Sequence, residues 1–173
     1  MFKPLDTLLP ILQTTPARWQ ALCQSLPPDL LSRKPAPAEW SALECLSHLL
    51  DTEKHIFPLR VRAFLAGENF SAFNPDKEGS SAANSSPAAL ADEFAALRAE
   101  SLDLLKTLQP ADLARTALHP ELGEVTLEQM LQEWSTHDLN HTVQAEQALM
   151  QPFILACGPW RKYFAAQDIA LKK

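Results

Sequence analysis

The chain has 173 residues, 46% hydrophobic and 21% charged, with a net charge of -6 and a sequence pI near 5.3. That length suits one domain over residues 1–173, large enough to bury a core without covalent staples. The acidic balance argues against a nucleic-acid surface, which needs clustered Lys and Arg, and 4 glycines beside 14 prolines argue against a turn-rich all-β fold.

The first predicted helix covers residues 6–26, with Leu8, Leu9, Leu12, Trp19, Leu22 and Leu26 as its apolar positions. Pro16 lies inside it and predicts a kink or a break. A proline-rich connection follows over residues 27–40. The second helix opens at Ser41, an N-cap with Glu44 three residues on, which together make a capping box. Leu43, Leu46, Leu50, Phe57, Val61 and Phe64 then share a face. Pro58 should bend this helix and Gly67 should stop it. Residues 68–86 carry little pattern, and 78–87 read as loop by composition. Such a connection is long for neighbouring antiparallel helices and could cross the length of a bundle.

The third helix has Ser86 as N-cap and Pro87 at its first position, and Pro110 closes it. Leu90, Phe94, Leu97, Leu102 and Leu105 are its apolar residues. Residues 111–125 read as an ordered loop. The fourth helix opens at Thr126 with a second capping box completed by Gln129, runs to about Met150 and should end at Pro152. A short helical segment over 159–169 follows. The expected fold is all-α: a four-helix bundle over about 5–150 with a C-terminal extension over 151–173. The long second connection favours up-down-down-up order.

Three cysteines, Cys23, Cys45 and Cys157, are odd in number and widely spaced, so they form neither a disulfide framework nor a metal motif. A reducing cytoplasm is the simplest compartment. No stretch has the length of a membrane helix, and the N-terminus lacks a secretory apolar core.

Chemistry concentrates on the fourth helix. His137 and His141 lie four residues apart, hence one turn apart on one face, where two imidazoles can share a metal ion. The apolar stripe centres near Trp134 and Ala145, so both histidines flank it and point toward the core or a cleft. The plain alternative is a pair of hydrogen-bonded histidines at the core edge. A third ligand is needed, and His48 on the second helix leads. Its phase puts it at the border of the apolar stripe, with Glu44, Asp51 and His55 beside it. His55 is the alternative, although its charged neighbours Asp51 and Arg62 favour a solvated position. Glu44 is already used by the capping box, and Cys45 reads as a small buried thiol. Asp51, Glu133 and Gln144 lie one turn from these histidines and are candidates to hold their second ring nitrogens. A Gly-rich phosphate loop, a Gly-x-Ser-x-Gly elbow, a repeated Glu-x-x-His pair and a His-Glu-x-x-His zincin motif are all absent. Trp40 and Trp134 read as core.

The segment Glu39-Trp-Ser-Ala-Leu-Glu-Cys-Leu-Ser-His48-Leu-Leu-Asp51-Thr-Glu53 resembles the second-helix signature of DinB-like (damage-inducible, YfiT-like) proteins. His137-Asp-Leu-Asn-His141-Thr-Val-Gln144 resembles their fourth-helix motif, and residues 119–127 resemble the loop before it. The similarity spans roughly residues 5–150. It implies an up-down-down-up bundle and a divalent metal, zinc, nickel or iron, held by His48, His137 and His141. It also implies relatives among thiol-dependent S-transferases, isomerases and metal-dependent hydrolases of bacteria, often dimeric. The expected function is therefore a metal-dependent enzyme acting on a small molecule, with a low-molecular-weight thiol or water activated at the metal and no nucleic acid or membrane as partner. No general base is singled out. The alternative is a non-catalytic binding or stress-response module with a structural metal or none.

Overall fold

The computed structural model describes residues 4–70 and 85–171. Its helices are α1 (Pro4–Ser25), α2 (Pro28–Leu31), α3 (Ala42–His55), α4 (Phe57–Ala66), α5 (Pro87–Lys106) and α6 (Leu127–Ala156). Both capping boxes form: Ser41 and Glu44 bond reciprocally at the start of α3, and Thr126 and Gln129 do so at the start of α6. The Ser86 hydroxyl accepts from Ala89 N–H and starts α5 behind Pro87. Among the described residues, no helix is long and apolar enough to cross a membrane.

The apolar stripes meet in two clusters, which give the helix directions. One cluster joins Leu8 and Leu12 of α1, Phe57, Val61 and Phe64 of α4, Leu105 of α5 and Leu127, Leu131 and Trp134 of α6. The other joins Trp19 and Cys23, Cys45 to Leu49, Leu90 to Phe94, and Ala145 with Leu149. α1 and α6 thus run from the first cluster to the second, whereas α3–α4 and α5 run the other way. This is a four-helix bundle in up-down-down-up order. α4 ends beside the first cluster and α5 begins beside the second. Most of the expected loop over 68–86 lies outside the described residues.

Between the clusters the bundle carries a polar layer. Thr15, Thr52, Glu53, Arg98, Ser101, Ser135, Asp138 and Thr142 are all buried, and on every helix they fall between the residues of the two clusters. Arg98 is its centre. Its Nε and Nη2 donate to Glu53 Oε2 at 3.0 and 2.8 Å. Nη1 and Nη2 donate to Asp138 Oδ2 and Oδ1 at 2.6 and 3.1 Å. Nη1 also donates to the Leu12 carbonyl at 3.1 Å. All five guanidinium N–H groups are used, by acceptors on the other three bundle helices. The Leu12 carbonyl is available because Pro16, four residues on, has no N–H to give it.

Four expectations need correction. Pro16 does not break α1, which runs through both Pro10 and Pro16. Pro58 does more than bend the second helix: Ile56 leaves helical geometry at φ -123 and ψ -77, and α3 and α4 are separate helices. A proline ring crowds the carbonyl four residues back, and the chain relieves this at Ile56. Pro152 does not end α6, which continues to Ala156. There the C-terminal segment holds the last turns: Gln151 Nε2 donates to the Gln167 carbonyl, and Ile169 N–H donates to Gln151 Oε1. That segment forms short 3-10 helices (Gly158–Phe164 and Ile169–Leu171), the helical extension that the sequence suggests.

Last, residues 111–125 are not simply loop. They hold a 3-10 turn and an antiparallel hairpin, β1 (Thr116–His119) paired with β2 (Gly123–Thr126). Gly123 at φ 77 supplies the left-handed turn position. Gly67, at φ 72, ends α4 as expected.

Removing the buried cation should leave two carboxylates without their counter-charge. Arg98→Met is expected to lower the unfolding free energy of the full chain by about 3–5 kcal/mol, read from urea unfolding. A loss below about 1 kcal/mol would show that the triad does not hold the bundle together.

Candidate metal centre

His48 comes from the second turn of α3, and His137 and His141 come from successive turns of α6. Their ring nitrogens converge: one ligand atom from each lies within 4.8 Å of the others. His48 Nε2 and His137 Nε2 are 3.0 Å apart. Two nitrogens at the usual 2.0–2.1 Å from one zinc ion would sit about 3 Å apart, so this spacing suits a shared ion. Ring centroids are 4.5 to 5.0 Å apart.

Why these three meet follows from the polar layer. Asp138 must face Arg98. On a helix turning about 100° per residue, that points His137 and His141 to the same flank of α6, roughly 100° and 60° away from Asp138. α3 borders the same flank and delivers His48.

The walls fix the rings. Trp40 stacks on His141 at 5.5 Å and meets His48 edge-on at 5.1 Å. Phe57 packs edge-on to His137 at 5.2 Å and stacks on Trp134. Gln144 Oε1 lies 2.9 Å from His141 Nδ1, which holds that nitrogen and leaves Nε2 for the centre. His137 Nδ1 is buried with no partner among the described residues.

Burial disfavours protonation of all three rings. It pulls His48 down to about 4, aided by His141 and opposed by Asp51. It pulls His137 down to about 3, aided by His141, His48, Arg98 and Arg60. His141 is lowered as well, against the pull of Gln144 and Asp138. Burial thus favours the neutral imidazole, the form that binds a cation, at all three positions.

The centre opens on one side. A cavity of about 310 Å³ is lined by His48, His137, Phe57, Arg60, Glu133 and the hairpin residues His119 to Leu122. Burial holds the Glu133 carboxyl above its usual range, with Arg60 opposing the shift.

His55 is exposed and stands outside the cluster. Glu44 is held in its capping box and by Lys34. Cys45 is fully buried in the second apolar cluster, where burial pushes its thiol up to about 12. Gln144 holds a ring nitrogen, as its spacing suggested, whereas Glu133 lines the cavity instead. Trp134 is core. Trp40 packs against the core and also walls the centre, a role that its sequence context does not reveal.

Arg98, Glu53, Arg60 and the hairpin were missed. Arg98 had a readable signal: it falls in step with Leu90, Phe94 and Leu105 on the buried face of α5, and a charge there demands a buried partner. Nothing in the local pattern marks Arg60.

The model of the DinB superfamily matches residues 11–145. The chain belongs to the DinB superfamily. Among solved structures it is similar to YfiT from Bacillus subtilis, described as a probable metal-dependent hydrolase with an unusual four-helix bundle topology. That match has a TM-score of 0.70 at 20% identity, covering 83% of this chain and 84% of that one. It is also similar to the DinB-like protein YjoA of Bacillus subtilis, with a TM-score of 0.57 at 20% identity over 82% and 89% of the two chains. No curated protein matches the sequence.

The burial of the thiols makes a clear expectation for reactivity. Cys23, pushed up to about 11, and Cys45 should resist an aromatic disulfide reagent at pH 8 in the native chain, while the half-buried Cys157 reacts. One thiol should titrate before unfolding and all three after it. Fast native labelling of Cys45 would contradict its placement.

Proposed function

We propose that this DinB-superfamily chain is a metal-dependent enzyme of hydrolase type, with a divalent ion held by His48, His137 and His141. The observation that carries this reading is the convergence of three imidazoles, two of which, His48 and His137, line an open cavity. The description of the similar YfiT as a probable metal-dependent hydrolase supports it.

When bound, the ion would supply Lewis acidity, acidifying a water or a thiol in the cavity. The residues of the chain do the rest. Trp40 and Phe57 keep the imidazoles oriented and shielded. Gln144 fixes the His141 ring so that Nε2 faces the centre. Glu133, one turn before His137 and facing the same cavity, accepts the proton that the nucleophile loses. Its burial raises its basicity for that task. A low-molecular-weight thiol in place of water would make the same site an S-transferase, and a thiol-dependent rate separates the two. Imidazole ligands suit zinc, nickel and iron alike.

Tag-free protein, stripped with chelator and reloaded with zinc, nickel or iron(II), should retain about one equivalent of metal. The His137→Ala, His141→Ala double variant should retain none while keeping its helical circular dichroism. Absence of stoichiometric metal in the parent chain would contradict the reading. Gln144→Ala should weaken metal affinity about 10–100-fold with the fold intact, measured by competition with a chromophoric chelator. An unchanged affinity would remove Gln144 from the centre.

A further inference from the structure

The cavity beside the histidines continues outward. A second chamber of about 500 Å³, lined by Phe70, Val125 and Met130 with Glu124 and Gln129 among them, shares Arg60, His119, Leu122 and Glu133 with the first. Arg60 therefore stands at the neck between a chamber that faces His48 and His137 and a chamber whose walls are mostly apolar.

Its guanidinium is held in an unusual way. It lies over the Phe70 ring, 5.0 Å from the centroid. It makes no hydrogen bond and no ion pair among the described residues. Glu133 is near enough to bias its protonation but does not contact it. By contrast, Arg98, Arg115 and Arg161 each donate to a carboxylate. A half-buried guanidinium whose donors meet no acceptor among the described residues, stacked on an aromatic ring and facing a cavity, suits a planar or tetrahedral anion.

We propose that Arg60 is the anion-binding residue of the substrate site, so that the cavity takes a small amphiphile. Its carboxylate or phosphate pairs with Arg60, its apolar part fills the outer chamber, and its reacting bond is presented toward the three imidazoles. This rests on the proposed enzymatic reading for its direction, but the anion site itself needs no metal. The neighbouring acid, Glu133, rejects a second negative group at the same neck, which restricts the substrate to one anionic group there.

Calorimetry on the full chain tests this with hexanoate, hexyl phosphate and the neutral hexanamide, each with chelator-treated and with zinc-loaded protein. In the parent chain at least one of the two anions should bind about tenfold or more tightly than the amide, in both metal states, and the stronger one identifies the anionic group. Arg60→Gln should abolish that preference, and Arg60→Lys should restore part of it.

Equal binding of anion and amide, no binding of either anion, or a preference that survives Arg60→Gln would each overturn the proposal. A preference seen only with zinc-loaded protein and unaffected by Arg60→Gln would place the anion on the metal, overturning the role of Arg60 while leaving the metal reading intact. A preference lost in Arg60→Gln but indifferent to zinc supports Arg60 even if the three histidines hold no ion.

Discussion

Among the described residues, Arg98 is the one Lys or Arg side chain that the bundle buries completely, and the bundle is organised around it. Desolvating a guanidinium is expensive unless every N–H finds an acceptor. Here the five donors reach Glu53 on α3, Asp138 on α6 and a main-chain carbonyl of α1. The last acceptor exists only because Pro16 withholds the donor that would otherwise use it. Two aromatic faces, Phe94 and Trp134, pack against the same guanidinium at 4.9 and 5.2 Å. Apolar clusters alone tolerate sliding and rotation of helices. A polar centre that demands acceptors from three neighbours does not, so the layer sets the rotation and height of all four bundle helices.

The candidate metal centre inherits that constraint. Asp138 sits between His137 and His141 in sequence, and its commitment to Arg98 decides where both imidazoles point. The break at Ile56 then matters on the other side. It frees α4 to bring Phe57 against His137 and Arg60 to the rim, positions that a straight continuation of α3 would not have to reach. The hairpin closes the remaining side with His119 and Leu122. A rigid polar core, a helix broken at Ile56 and a short hairpin together leave one open cavity against His48 and His137.

Much of this was legible in the residues. Two capping boxes fixed the starts of α3 and α6, because Ser41/Glu44 and Thr126/Gln129 satisfy local donors whatever the tertiary context. The phase of Trp134 and Ala145 located the buried stripe, and the four-residue step of His137 and His141 placed them on its flank. His48 was reachable by phase but not distinguished from His55 by it. The charged neighbours of His55 and the family resemblance favoured His48, and the fold turns His48 inward and leaves His55 in solvent. Proline was the least reliable guide. Its effect depends on what else can use or replace the lost hydrogen bond: Arg98 takes the carbonyl at Leu12, the C-terminal segment steadies α6 near Pro152, and at Pro58 the chain yields. The hairpin was hidden because four-residue strands carry too little alternation to read.

Three converging imidazoles should form one open coordination site. Cobalt(II) titration of the chelator-stripped chain, followed by visible absorption, tests that most directly. The predicted result is saturation near one equivalent, with ligand-field bands of low coordination number that shift when azide or a small thiol is added. Absence of those bands, or bands indifferent to every added ligand, would contradict an open three-histidine centre.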